Sequence, residues 1–273
     1  MSSTIVTDGV EGRAAYALDN SADYAAERLI ALDHFLDPIT RRVIDELPLH
    51  PGNRCLEIGP GSGSIAGYLA GRVGPTGQVA AVDVDLSRLT SGADLDVFQH
   101  DIRDGLPLEG PFNLIHARLV LVHLPERNDV LRTLTDALAP GGWLVLGDFG
   151  DTPMTVYSSP SDSDTELYTR VVYALQHVLE SHGVDMAWAD ATHTAMRDAG
   201  LRNVYAVDHA ESWYGGSTGI RMHHANTSQT QDELLLHGIT TADLDRFHAL
   251  VADPSFVVRS YRFVCTRGQR PPK

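Results

Sequence analysis

An α/β fold built on a doubly wound, mostly parallel sheet is what this chain predicts, and three observations carry the prediction. A short apolar run, Cys55 to Ile58, enters three glycines at alternate positions, Gly59, Gly61 and Gly63, and a helical segment from Ser64 to Arg72 follows. A second apolar run, Gln78 to Val82, ends in Asp83, which lies 20 residues past Gly63. That is about the spacing at which a doubly wound fold sets a carboxylate beside a ribose. Third, the expected parallel strands all end in groups suited to meeting a ligand: Gly59, Asp83, Asp101, His116 and Asp148.

The chain has 273 residues, 43% of them hydrophobic, enough for one large domain with a lid. A formal net charge of −15 and the absence of any Lys/Arg run argue against a nucleic-acid partner. The amino-terminal MSSTIVTDGVEG has neither a basic region nor an apolar stretch, so no signal peptide is expected. No segment approaches the roughly 18 consecutive apolar residues of a membrane span. The two cysteines, Cys55 and Cys265, read as reduced core thiols, and no His/Cys cluster suggests a metal. A soluble cytoplasmic protein, monomer or homodimer, is the expectation.

Residues 1–11 read as a flexible amino-terminus and 268–273 as a flexible tail. Between them, 12–267 form the domain, with 12–37 and 208–254 as lid segments. From Gly12 to Leu47 the pattern is helical, with Leu29, Leu32, Leu36 and Ile39 as an apolar stripe and a break expected at Pro38. After the glycine loop and Asp83, a third strand is expected over Asp94 to Gln99 and a fourth over Phe112 to His116. Pro140-Gly141-Gly142 then turns the chain into a fifth, Trp143 to Gly147. Leu167, Val171, Leu175 and Leu179 recur at steps of four, which predicts a helix over 165–181. A further helix over 189–199 ends at Gly200 before strand six, Val204 to Val207, and the last strand is read over Phe256 to Thr266. The insert 208–254 carries Trp213, Tyr214 and Met222, then His223 and His224, with two helices expected after them. A connection this long inside a compact domain usually carries function.

Glycine lets the loop adopt positive φ and lets a ligand lie against the main chain, while the new helix offers free N–H groups. Gly61-Ser62-Gly63-Ser64-Ile65-Ala66 also fits the G-x-G-x-x-A of a dinucleotide site. Glu57, a carboxylate two residues before the first glycine, suits a ligand with an ammonium and a sulfonium better than one with a pyrophosphate.

On these residues, Glu57-Ile58-Gly59-Pro60-Gly61-Ser62-Gly63 with the spaced Asp83, the chain resembles the class I S-adenosylmethionine-dependent methyltransferases. A second passage, FNLIHARLVLVHLPERNDVLRTLTDALAPGGWLVLGDF, resembles them from the fourth strand through the fifth. Tyr16 to Ser21, with Tyr24 and Arg28, resembles the amino-terminal region of small-molecule methyltransferases of bacterial secondary metabolism, including antibiotic biosynthesis. The resemblance implies a seven-stranded sheet in the order 3-2-1-4-5-7-6, the seventh strand antiparallel, under a helical lid. It also implies S-adenosylmethionine as cofactor, with S-adenosylhomocysteine as product. Glu57, Gly59, Gly61 and Gly63 would hold its methionyl part and Asp83, with Asp85 a rival, its ribose. Asp101 and Ile102 would meet the adenine edge, which needs one acceptor and one donor, and His116 the sulfonium side. Tyr24 and Arg28 are further cofactor candidates, Arg28 as a partner for the carboxylate.

Tyr16, Trp213, Tyr214 and Met222 are the candidate substrate-binding residues, each equally readable as packing. Methyl transfer needs alignment and, for an oxygen acceptor, a nearby base. Histidine suits that role near neutral pH, and His223 and His224 in the lid are the catalytic candidates, while His123 reads as packing. The expected reaction is methylation of a small-molecule acceptor, at oxygen before nitrogen or carbon. The alternatives are an enzyme that keeps S-adenosylmethionine for a rearrangement or cyclisation, a pseudo-enzyme, and a nicotinamide-dependent oxidoreductase.

Overall fold

The computed structural model describes residues 6–7, 18, 24–89 and 95–272. The elements run β1 (Val6–Thr7), α1 (Ala25–Asp45), β2 (Arg54–Ile58), α2 (Ser64–Val73), β3 (Gln78–Asp83) and β4 (Asp96–Gln99). Next come β5 (Phe112–Arg118), α3 (Arg127–Ala137), β6 (Leu138–Gly150), β7 (Val156–Ser158), α4 (Asp162–Ser181) and α5 (Trp188–Asp198). The chain closes with β8 (Arg202–His209), β9 (Ser212–Tyr214), α6 (Arg221–Gln229), α7 (Gln231–Leu236), α8 (Thr241–Ala252), β10 (Val257–Arg259) and β11 (Arg262–Gln269).

One sheet runs β1-β4-β3-β2-β5-β6-β11-β8. From β4 to β8 this is the expected seven-strand order, and the two residues of β1 add a parallel edge strand against β4. The strands of the β4-to-β6 half are parallel, whereas β11 lies antiparallel to both β6 and β8. Alternate residues of each strand face opposite layers, which is why the central strands read as unbroken apolar runs. Cys55, Val79, Leu114, Val145 and Phe263 pack under α1, α2, α4 and the helices of the insert. Leu56, Ala80, Ile115, Leu144 and Leu146 pack under α3 and α5. Both cysteines are buried and unpaired, and burial pushes each thiol up to about 12.

Two expectations about elements need correction. α1 is continuous through Pro38. Proline forfeits one helical bond, but Phe35, Leu36, Thr40, Val43 and Ile44 are buried on both sides of it, so packing holds the helix together. The last strand is split at Ser260–Tyr261: β11 belongs to the main sheet, while β10 joins β7 and β9 in a small antiparallel sheet. The insert holds three helices: α6, which carries His223 and His224, and after it α7 and α8, the two expected to follow. The third, α8, starts with the reciprocal cap of Thr240 and Asp243 that its sequence predicts.

Candidate functional site: a glycine loop beside an apolar cavity

Gly59, Gly61 and Gly63 have φ of 67°, 55° and 86°, so the loop between β2 and α2 needs glycine at all three positions. A Cβ on Gly59 would collide with Val120, and one on Gly61 would come within 3.3 Å of Leu29. The loop is therefore pressed between the chain leaving β5 and the first helix. Gly59 N–H donates to Val82 O at 2.9 Å, and His100 N–H to Asp83 O at 2.9 Å, stitching the ends of β2, β3 and β4 together.

Asp83 closes β3. Burial pushes its carboxyl up to about 6, against the backbone N–H groups of Asp85, Val84 and Gly61, and the Asp85 charge adds to the rise. Asp85, its rival, turns its own carboxylate to Ser87, accepting from N–H at 2.8 Å and Oγ–H at 3.0 Å. Asp101 begins the short 3-10 turn Ile102–Asp104 and accepts from Arg103 through its backbone N–H at 2.9 Å and its guanidinium at 2.6 Å. Ile102 is buried beneath it.

Sequence reasoning missed the ionic network that clamps α1 onto the loop. Arg118, at the end of β5, pairs with Asp33 at 3.0 Å and Asp37 at 2.8 Å. Ser62 donates to Asp33 at 2.6 Å, and Ser64 to Asp37 at 3.0 Å. Burial raises the Asp33 carboxyl, while Ser62 and Arg118 pull it back. The signal available was a pair of acids four residues apart beside an apolar helical stripe.

Beyond the loop, at the carboxyl ends of β5 and β6, lies a cavity of about 960 Å³ counted to its open mouth. Leu32 of α1, Leu119 after β5, Phe149 of β6, Met154 after it, and Leu175 of α4 supply apolar wall; Arg28, His123, Asn226 and Tyr261 supply polar groups. Leu119 has φ 55°, a conformation that costs a side-chain-bearing residue free energy and clusters at functional sites. The turn it makes puts Val120 against Gly59 and Leu119 itself in the cavity wall. His123 is held at about 3 by burial and by the charges of Arg28 and Arg127, so its imidazole is neutral at ordinary pH.

The other expected site residues fall unevenly. Met222 and Arg28 line the cavity, and Arg28 donates to Leu18 O at 3.1 Å. Tyr16 lies outside the described residues. His116 does not end its strand, because β5 runs on to Arg118. Its ring is wholly buried, with Nδ1 at 2.8 Å from Glu57 Oε2. Glu57 and His116 face each other across β2 and β5, which is why they meet. Both thus sit beneath the loop rather than open to a ligand. Asp148 likewise lies inside β6, which continues to Gly150, and is buried.

His223 is fully buried, both ring nitrogens 3.0 Å from tyrosine hydroxyls, and burial pushes it down to about 3. It is not an exposed base. His224 points away from the cavity, towards Glu27 at 3.6 Å, the Tyr24 ring and His248. Tyr24 packs edge-on against His224 and is otherwise exposed. Trp213 is core, packed on Phe35 and His223 and donating to Glu211 at 3.1 Å. Tyr214 is 56% exposed on β9. Alternation along a three-residue strand forces this opposition: one aromatic goes in, its neighbour out.

S-adenosylmethionine, which the sequence resemblance implies, fits the residues present. Three glycines at positive φ leave the main chain at the mouth of α2 with no side chain to bar a ligand, and a carboxylate, Asp83, closes the next strand. Among the described residues no group of three or more His, Cys, Asp or Glu is arranged to hold a metal. No described helix is long and apolar enough to cross a membrane.

Comparison with known proteins agrees with this geometry. A methyltransferase-domain family model matches residues 32–206, more than half of the chain. Over 123 residues the chain is 32% identical to the methyltransferase str2 of Strobilurus tenacellus, covering 44% of each protein. Over 119 residues it is 32% identical to the ubiquinone/menaquinone biosynthesis C-methyltransferase UbiE of Ectopseudomonas mendocina, covering 40% of this chain and 46% of that one. The matches thus span less than half the length of these curated relatives. The fold is similar to that of phosphoethanolamine N-methyltransferase 2 of Haemonchus contortus in complex with S-adenosyl-L-methionine. The TM-score is 0.56 at 13% identity, covering 96% of this chain and 61% of that one. By its glycine loop, its strand order and the extent of the family match, the chain belongs to the methyltransferase-domain family.

Proposed function

We propose that this protein transfers the methyl group of S-adenosylmethionine to an oxygen of a small, mainly apolar acceptor, in a natural-product pathway. The observation that carries this reading is the cavity of about 960 Å³ whose wall begins at Leu119, one residue from the Val120 that presses on Gly59. An apolar cleft with a few placed polar groups is the usual form of a small-molecule site. The cofactor, when bound, supplies a methyl group on a sulfonium. Gly59, Gly61 and Gly63 would cradle its methionyl part, Asp83 its ribose hydroxyls, and Asp101 with Ile102 its base edge.

The chain's own contribution is alignment and exclusion of water. α1, clamped by Asp33 and Asp37, holds Leu32 and Arg28 over the cavity. The neutral imidazole of His123, in the same wall, is suited to accept a hydrogen bond from an acceptor hydroxyl. With its proton affinity so far lowered it orients that hydroxyl rather than stripping it, and the proton released on methylation leaves through solvent. His123, not His223 or His224, supports the choice of oxygen.

Calorimetry with S-adenosylmethionine and with NAD tests the cofactor reading: binding of the former and none of the latter is expected. Asp83→Ala should weaken S-adenosylmethionine binding by about 1.5–3 kcal/mol, roughly tenfold to a hundredfold. Unchanged affinity would remove Asp83 from the site. Incubation with S-adenosylmethionine and a small-molecule extract should yield S-adenosylhomocysteine and a product heavier by one methylene at a hydroxyl or carboxyl. A product methylated at nitrogen or carbon would overturn the oxygen assignment.

A further inference from the structure

Behind the cavity lies a hydrogen-bonded row that the reaction as described does not use. His223 Nε2 is 3.0 Å from Tyr168 Oη, and His223 Nδ1 is 3.0 Å from Tyr261 Oη. Tyr168 and His223 are wholly buried, and Tyr168 is walled by Phe247 and Phe256. Tyr261 and Asn226, in contrast, line the cavity.

We propose that Tyr261 and Asn226 form a polar subsite that recognises a hydroxyl group of the acceptor, with His223 and Tyr168 fixing the direction of the Tyr261 proton. The inference rests on the reading that this cavity takes the acceptor. A buried His223 held neutral has one N–H and one bare nitrogen. Two arrangements are open. If Tyr261 donated to Nδ1, then Nε2–H would donate to Tyr168, and the Tyr168 proton would be stranded in an apolar wall. Leaving a buried donor unmet costs about 1–3 kcal/mol. In the other arrangement Tyr168 donates to Nε2 and Nδ1–H donates to Tyr261, so no proton is stranded in the apolar wall and the one left over is that of Tyr261, which lines the cavity. Burial raises the Tyr261 phenol well above its ordinary value, so it keeps its proton. With its oxygen accepting from His223, Tyr261 has its proton left for the cavity side.

Asn226 supplies the complement. It is only 7% exposed, and its Oδ1 has no hydrogen-bond partner among the described residues. One donor and one unmet acceptor therefore stand together in the cavity wall. A hydroxyl both gives and takes a hydrogen bond and matches the pair. A carboxylate would face the Asn226 oxygen without a donor to offer it, and an ammonium could not accept from Tyr261.

The test uses a matched probe pair, 2-tetralol and tetralin, with dissociation constants measured on the full chain by ligand-observed NMR. The wild type should bind the alcohol about three- to tenfold more tightly than the hydrocarbon, the worth of one or two neutral hydrogen bonds. Tyr261→Phe and Asn226→Leu should each bring the preference below twofold while leaving tetralin affinity unchanged. Tyr168→Phe should do the same although Tyr168 touches no ligand, because the imidazole is then free to take the other tautomer and draw the Tyr261 proton inward. Thermal unfolding checks that each variant folds, and the three variants lie on different elements. Equal affinity of the wild type for both probes, or a preference that survives all three substitutions, overturns the subsite. Calorimetry with S-adenosylmethionine on the same samples separates the two readings. An alcohol preference without cofactor binding would sink the methyl-transfer reading and keep the subsite.

Discussion

Asp83 and Asp148 lie near the same end of the sheet, and burial lifts both carboxyls, Asp83 to about 6 and Asp148 to about 8. Asp83 faces the glycine loop, whereas Asp148 lies among Val122, Trp188 and Arg127, whose N–H dipoles and charge offset only part of the burial. An acid whose folded pKa is raised holds its proton in the native state over a pH range where the unfolded chain has released it. Stability therefore falls as pH rises from about 4 to about 8, at up to about 1.4 kcal/mol per pH unit for each of the two groups. Asp148→Asn removes the share of that fall that belongs to Asp148 and leaves that of Asp83. Urea unfolding at pH 5 and pH 7.5 should show the variant gaining roughly 2–3 kcal/mol on the wild type between the two, and parallel pH dependence would remove the assignment. In sequence the two residues look alike, each an acid after an apolar run. Whether each lies at the end of its strand or inside it depends on where the strand stops, and β6 runs on to Gly150, three residues past the Gly147 that the pattern suggests.

α1 shows what an element contributes beyond its residues. Its apolar stripe was legible at steps of three and four, but its place over the glycine loop depends on Asp33 and Asp37 meeting Arg118, Ser62 and Ser64. The partners come from three elements, so no local pattern announces them. Pro38 misled the reading for the same reason: propensity speaks for an isolated helix, and tertiary packing overrides it. Asp33→Ala takes one of two carboxylates from a mostly buried guanidinium and an acceptor from Ser62. A loss of about 1–3 kcal/mol in stability is expected, with S-adenosylmethionine affinity lowered severalfold because α1 loosens from Gly61. Thermal unfolding together with calorimetry reads both. Unchanged stability would mean that packing alone seats the helix.

Across the whole molecule, the loop side of the site was legible because it is local: glycines, a strand end and an acid follow one another within a few turns of chain. The cavity side was not, because its wall is assembled from α1, the chain after β5 and β6, α4, α6 and the start of β11. Met222 was found on its own merits, but Phe149, Leu175, Asn226 and Tyr261 become neighbours only once the sheet has closed and the insert has folded back. The same separation makes the two halves testable apart. Met186 lines the cavity in the connection between α4 and α5, and no residue of the glycine loop is in that wall. Met186→Trp puts an indole into the cleft. The substitution is expected to abolish detectable tetralin binding by NMR, and turnover with it, while leaving the S-adenosylmethionine dissociation constant within about twofold, a change of about 0.4 kcal/mol or less. Loss of cofactor binding in the folded variant would show that cleft and cofactor site share one space. Retained tetralin binding would place the acceptor site elsewhere on the molecule.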